Sequence, residues 1–371
     1  MNLTFSTSYY HPYVSGLTIG LKELAEGLTE LGHSCKIITN KHDSRLKDYE
    51  LINGVKVKRF NYQIKIYKAL FSWDWLRKTP GELKDAERVI LNLPQPEGFI
   101  VAIISRLMGK KIISWYVCDV SLGKGIKDKV WEIAIDLSSL ISLVLSENIL
   151  TYTDNYAHRS RVLKYFLSKT NSIYPPVPGV KEKPKIAPVG GKLIIGMGAR
   201  VAKEKGFEEI VEALPIIEKA LDKPVILRVA GSTNAVGEKA YAQEIIEKIK
   251  RNNLKVYFLG TQSKLEMEEF YKTIDLLAVP STNSTEAFGL VQVEAMKRGV
   301  PVVASDLPGV KIPVMETGMG ILCKAKDAED LATKITWAAQ NKEMLANKYP
   351  LARKIFDYWT SVKIYEKSIC N

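Results

Sequence analysis

Cysteine is scarce in this chain: Cys35, Cys118, Cys323 and Cys370 are scattered over 371 residues with no Cys-x-x-Cys pair. That spacing argues against a structural zinc site and a disulfide framework, so a reducing, cytoplasmic setting is expected. His11, His33, His42 and His158 form neither His-x-x-His nor His-Glu-x-x-His, and no Asp-x-Asp pair is available to hold a divalent ion beside a diphosphate. No metal and no cofactor are therefore expected. Long apolar runs are also missing. The greasiest stretch, residues 130–150, carries Glu132 and Asp136, which excludes a membrane span and predicts a buried amphipathic helix. Met1 leads straight into strand-like "NLTFSTSYY", so no signal peptide is expected. Two nucleotide motifs fail as well. "GKGIKDK" lacks the spacing of a P-loop, and "GMGARV" (residues 196–201) has Val201 where a dinucleotide fingerprint needs its third glycine.

What is present fits an ordinary globular chain, with 46% hydrophobic and 25% charged residues. Its length suits two domains better than one core. Its net charge of +12 is uneven, because residues 1–190 hold 27 Lys and Arg against 18 Asp and Glu. So basic a half implies an anionic partner, without choosing among nucleic acid, phosphorylated substrate and lipid headgroups.

Short β-rich runs alternate with helical patterns almost throughout. "LTFSTSY", "SCKIITN", "VKVKRFN", "RVILNL", "KKIISWYV", "NILTYT" and "NSIYP" read as strands in the first half. "KLIIGMGAR", "VILRVAG", "KVYFLG", "DLLAVPS" and "VPVVASD" continue the pattern in the second. Such alternation means parallel sheets covered by helices, here built twice: an α/β architecture of two doubly wound domains. Five prolines and three glycines in residues 174–192 mark the boundary. The expected division is 1–175, a linker 176–192, 193–350, and a helical tail 351–371. Doubly wound sheets bind ligands at the carboxyl ends of their strands, which directs attention to two loops of the second domain.

"GARVAKEKG" follows the strand "LIIGM" and offers Arg200 and Lys205. A planar fork of donors beside a mobile point charge suits a diphosphate without a metal. "STEAFGLVQVEAM" (residues 284–296) places Glu286 before a helix and Glu294 inside it, with Gly289 between them. Gly289 lets backbone amides approach a ligand, and a helix start aims free N–H groups at an anion. Eight residues at helical rise would separate the glutamates by about 12 Å, about the reach from a sugar across a diphosphate to a ribose.

"EAFGLVQVE" matches the E-x7-E signature of the retaining GT-B glycosyltransferases of family four, and "VPS", "EAM", "GVPVVAS" and "PGV" stand around it in the family's order. "GARVAKEKGFEEIVEAL" resembles the family's GR-x-x-x-E-K-G segment, and "YYHPYVSGLTIGLKELAEGLTELGHSCKIIT" resembles its opening strand, glycine loop and helix. The likeness spans nearly the whole chain and is tightest across residues 196–322. It implies a GT-B fold and transfer of a hexose from a nucleoside-diphosphate sugar to a hydroxyl acceptor, with retention. Arg200 and Lys205 would then neutralise the departing diphosphate, and Glu286 would face the sugar. Gly198 and the backbone of Phe288, Gly289, Leu290 and Val291 would touch the donor. Glu294 would hold the ribose, and Gly16 would let the first domain approach the phosphates. Asp119 remains of a Tyr-His-x-Asp stretch in which Val117 replaces the histidine, and Ile312 stands where many members carry glutamate. Both departures blur the sugar's identity.

Two further expectations concern partners. Residues 59–78 interleave Arg59, Lys65, Lys68, Arg77 and Lys78 with Phe60, Tyr62, Tyr67, Phe71, Trp73 and Trp75. One reading is a helix with a buried aromatic face. The other is attachment to an anionic membrane surface, with a glycan or lipid-linked acceptor. A nucleotide-sugar epimerase is the rival enzyme. Nucleic-acid binding is not expected, since no basic-aromatic module or helix-turn-helix is present.

Overall fold

A computed structural model describes residues 1–371 except Tyr67, Lys68, Lys124, Lys181, Lys185, Ala187, Pro188, Ala235, Val236 and Ser284. The chain divides into two units, Met1–Val177 with Tyr358–Asn371, and Pro178–Asp357.

Ten strands build the first unit: β1 (Asn2–Ser6), β2 (Ser34–Asn40), β3 (Tyr49–Ile52), β4 (Val55–Phe60), β5 (Ile64–Ile66), β6 (Ala69–Phe71), β7 (Arg88–Leu93), β8 (Lys111–Tyr116), β9 (Asn148–Thr151) and β10 (Thr170–Ser172). Eight of them form one sheet in the order β10-β9-β8-β7-β1-β2-β4-β3. Every pairing in it is parallel except β3 with β4. Central strands such as "RVILNL" are buried on both faces, which is why they read as continuous apolar runs. β3 escaped the pattern because it is an edge strand, half-exposed along its length.

The tail divides. Residues 351–357 stay with the second unit, and the helix Tyr358–Cys370 belongs to the first. There Tyr365 is buried, donates to the Ile173 carbonyl at 2.9 Å and packs its ring 5.1 Å from Trp115. The opposing helix, Gly16–Glu30, admits it at Gly27, where a Cβ would lie 2.8 Å from a Val362 methyl.

Residues 59–78 form neither a single helix nor a single surface. β5 and β6 pair antiparallel, and the short helix Asp74–Arg77 follows. Arg59 is buried and held by Glu50 at 2.7 Å and the His11 carbonyl at 2.9 Å. Phe60 and Trp75 are core residues, packed edge to face at 4.9 Å. Tyr62, Lys65, Trp73, Arg77 and Lys78 are exposed, and Phe71 is half-buried. Tyr67 and Lys68 lie outside the described residues.

The helix within residues 130–150 also departs from expectation. It runs Ile126–Leu145, and its apolar side chains are shared between a buried face and an exposed one.

The second unit adds β11 (Leu193–Met197), β12 (Val225–Ala230), β13 (Val256–Gly260), β14 (Leu276–Val279), β15 (Val302–Ser305) and β16 (Gly320–Cys323). They form a six-stranded sheet, ordered β13-β12-β11-β14-β15-β16, in which every pairing is parallel. Helices such as Phe207–Leu221 bury Phe207, Ile210 and Leu214 against it. From β11 the chain builds outward through β12 and β13, then returns to the other side of β11 with β14. That reversal puts a crevice outside the carboxyl ends of β11 and β14.

Candidate active site

The loops leaving β11 and β14 meet in that crevice. Gly206, at φ +74°, begins the helix Phe207–Leu221, and a Cβ there would sit 1.9 Å from the Pro280 carbonyl oxygen. Only glycine supplies both that backbone and that approach. The Thr282 N–H donates to the Glu204 carbonyl at 3.0 Å and ties the two loops together. A small depression results, lined by Gly198, Lys205, Ser281, Glu286 and Val291 among others.

The two loops carry two half-buried ion pairs, of which Lys205 and Glu286 line the depression. The Arg200 guanidinium donates to Glu204, and the Lys205 ammonium donates to Glu286. The sequence motif gave each group a separate role, whereas in this structure each cation is matched by a carboxylate. One guanidinium nitrogen is left over. Nη1 of Arg200 is buried and has no hydrogen-bond partner among the described residues. Such a donor costs about 1–3 kcal/mol unless something accepts from it. An anion in the crevice would do so.

The helix expected around Glu294 spans Leu290–Lys297, with Gly289 at φ +77° ahead of it. Glu286 lies outside this helix, so helical rise does not set its separation from Glu294. Gln292, fully buried, anchors the helix start by donating to the carbonyls of Phe288 at 3.1 Å and Val310 at 3.0 Å. Phe288 is a core side chain against Phe356. Leu290 and Val291 begin the helix, where the first N–H groups lack an intrahelical acceptor. Glu294 accepts from the Tyr271 hydroxyl at 2.6 Å, and Arg298 grips the Glu294 carbonyl at 2.7 Å while stacking 5.0 Å over the Tyr271 ring. Burial first, then the Glu294 charge, pushes the Tyr271 phenol well above its ordinary range, so it stays a donor.

Two expected site residues belong to the first unit. Gly16 is the exposed first residue of the helix Gly16–Glu30, which Ser15 caps. Asp119 is buried, and both its oxygens are occupied. Oδ1 accepts from Tyr116 at 2.8 Å and Ser160 at 2.7 Å, and Oδ2 accepts from the Arg161 N–H at 3.0 Å. With these three donors its carboxylate ties the loop around Ser160 to the end of β8.

One cluster went unread in the sequence. β1 lies between β2 and β7 in the first sheet, and buried polar side chains collect at the carboxyl ends of these three strands. Asn40 donates to Glu97 at 3.0 Å, Ser8 donates to it at 3.0 Å, and Trp75 donates to Asn40 at 2.9 Å. Burial pushes the Glu97 carboxyl up to about 7 against those two donors. "PQPEG" carries no spacing that announces this. Among the described residues no group of three His, Cys, Asp or Glu is placed to hold a metal ion.

Two Rossmann-like units, each with a sheet that reverses its build order, constitute the GT-B fold of glycosyltransferases. Anabaena HepE, solved with UDP and glucose, shares that fold over 100% of this chain and 99% of its own, with a TM-score of 0.75 at 18% identity. Residues 180–354, within the second unit, match the family described as Glycosyl transferases group 1. An uncharacterised glycosyltransferase of Methanocaldococcus jannaschii is 26% identical over 373 residues, covering 90% of this chain and 87% of that one. A phosphatidyl-myo-inositol mannosyltransferase of Mycobacterium leprae is 28% identical over 178 residues, which is 47% of this chain and 45% of that protein. The chain thus spans less than half the length of that relative. Together these similarities support a glycosyltransferase, and they lend nothing to the epimerase alternative.

Proposed function

We propose that this protein is a retaining, metal-independent hexosyltransferase that uses a nucleoside-diphosphate sugar and a membrane-borne hydroxyl acceptor. One observation carries the reading: on the loop that follows β11, Arg200 holds a buried guanidinium nitrogen with no hydrogen-bond partner among the described residues, and Lys205 of the same loop lines the depression with Glu286. The diphosphate accepts from Arg200 Nη1 and draws the Lys205 ammonium, leaving Glu286 to face the sugar ring. As the bond from the anomeric carbon to the phosphate oxygen breaks, negative charge grows on that oxygen. Arg200, Lys205 and the N–H groups of Leu290 and Val291 stabilise it in place. The acceptor oxygen attacks from the face the phosphate leaves, and its proton passes to the departing phosphate oxygen. Glu294, oriented by Tyr271, takes the ribose hydroxyls.

The acceptor assignment draws on two things: the basic first half of the chain, and a relative whose name specifies a phosphatidyl-inositol acceptor. No described helix is long and apolar enough to cross a membrane, so attachment on this reading is peripheral, at the cytoplasmic face. A thermal-shift panel of UDP-, GDP- and ADP-sugars tests the donor site, because a bound donor raises the melting temperature by mass action. Stabilisation by one nucleotide series, followed by transfer with unchanged anomeric configuration, is the expected result. A panel in which no nucleotide stabilises the protein refutes the donor site.

A further inference from the structure

The helix Ile126–Leu145 carries its hydrophobicity on the wrong side for a soluble surface. Ile126, Val130, Ile133, Leu137, Ile141 and Val144 are each between 40% and 86% exposed. At about 100° per residue they fall within an arc of roughly 80°, as one ridge about 27 Å long. The inward face mixes Ile135 and Leu143 with Glu132, Ser138, Ser139 and Ser142. Glu132 accepts from the Leu122 N–H at 2.8 Å, Ser138 donates to the Gln95 and Pro96 carbonyls, and Ser146 meets Ser114 at 2.8 Å. These bonds fix the rotation of the helix, so the outward display of six aliphatic side chains is built into the fold. A monomeric soluble surface seldom presents such a contiguous apolar strip without a use for it.

We infer that this ridge docks the protein onto an anionic lipid bilayer. The charges around it select that occupant. Both lysines of the helix, Lys127 and Lys129, are exposed, whereas none of its three acids is. Asp128 accepts from the Gly125 N–H, buried Glu132 accepts from Lys129 at 2.6 Å, and Asp136 is bonded by Arg161. Trp131 of the helix touches Phe71 at 5.7 Å, which joins the ridge to the β5–β6 hairpin and its exposed Ile64 and Lys65, with Trp73 just beyond. A line of exposed aliphatic groups flanked by lysines and indole rings suits a fluid interface, where apolar groups enter the acyl boundary and cations stay among the headgroups. The surface extends the membrane reading of residues 59–78 to a helix that reading did not include. Because it stands on burial and charge alone, it does not depend on the transferase assignment.

Flotation of the full-length protein with phosphatidylcholine vesicles, with and without phosphatidylglycerol, decides the matter. The wild type should float with the anionic vesicles, and Val130→Gln/Ile133→Gln/Leu137→Gln should lower the bound fraction by about tenfold or more. Glutamine keeps the helix propensity, and an unchanged melting temperature confirms an intact fold. The single change Ile133→Lys, at an exposed site, gives an independent reading if the triple variant melts early. Wild-type protein that floats with neither vesicle overturns the proposal. So does self-association in sedimentation velocity that the triple variant abolishes, since the ridge then meets a second copy. The assay needs neither donor nor acceptor, so its failure is distinct from failure to transfer sugar.

Discussion

Replacing Arg200 by methionine separates a binding role from a structural one through the signs of two measurements. The guanidinium is half-buried, paired with Glu204, and holds one nitrogen with no acceptor among the described residues. Removing that orphan recovers about 1–3 kcal/mol, and losing a partly exposed ion pair costs about 0–1 kcal/mol. Methionine keeps most of the aliphatic stem, so little packing is lost. The net expectation is a stability unchanged or raised by about 1–2 kcal/mol, which for a unit of this size moves its transition upward by up to roughly 8 °C. Catalysis should move the other way. A preorganised donor on a developing phosphate charge is worth about 2–4 kcal/mol, so kcat/KM should fall by about thirtyfold to a thousandfold. Differential scanning calorimetry of the second unit's transition and steady-state transfer kinetics measure the two terms. A variant destabilised by more than about 2 kcal/mol that still transfers sugar at the wild-type rate would show the guanidinium to be a structural group.

Glu286→Gln should mainly reduce turnover, and Glu294→Gln should mainly weaken binding of free nucleoside diphosphate. Titration calorimetry on both variants checks this, and an unchanged diphosphate affinity for Glu294→Gln refutes the ribose role. Transfer should continue at close to its full rate in excess EDTA; activity lost there and restored by magnesium or manganese would refute metal independence. Glu97 gives a pH signature, because burial raises its carboxyl to about 7 in the folded protein from about 4.3 in an unfolded chain. Its contribution is fully present below the unfolded value. It is lost as pH rises through 7, a change on the order of 3 kcal/mol. Urea denaturation across that range should show the slope in the wild type and a flatter profile in Glu97→Gln.

Strands and loop chemistry were legible in the sequence because both are local. β2 and β7 fall on the runs "SCKIITN" and "RVILNL", whose centres are the aliphatic residues that a parallel strand covered on both faces favours. The Arg200–Lys205 loop, Gly289 and the glutamate-bearing segment could be read from residue types and spacing. Burial and pairing were not legible. Lys205 and Glu286 stand 81 positions apart and meet only when β11 and β14 become neighbours. Asp119 looked available until Tyr116, Ser160 and Arg161 closed on it. Periodicity shows that a helix has an apolar stripe but not which way the stripe turns. In Ile126–Leu145 that choice was made by serine and glutamate hydrogen bonds to distant backbone. The order of strands and the identity of donors and acceptors were thus written in the residues themselves. Which donors met acceptors, which donor was left over and which face met water were decided by contacts between segments remote in the chain, whose energies depend on distances that only the folded protein defines.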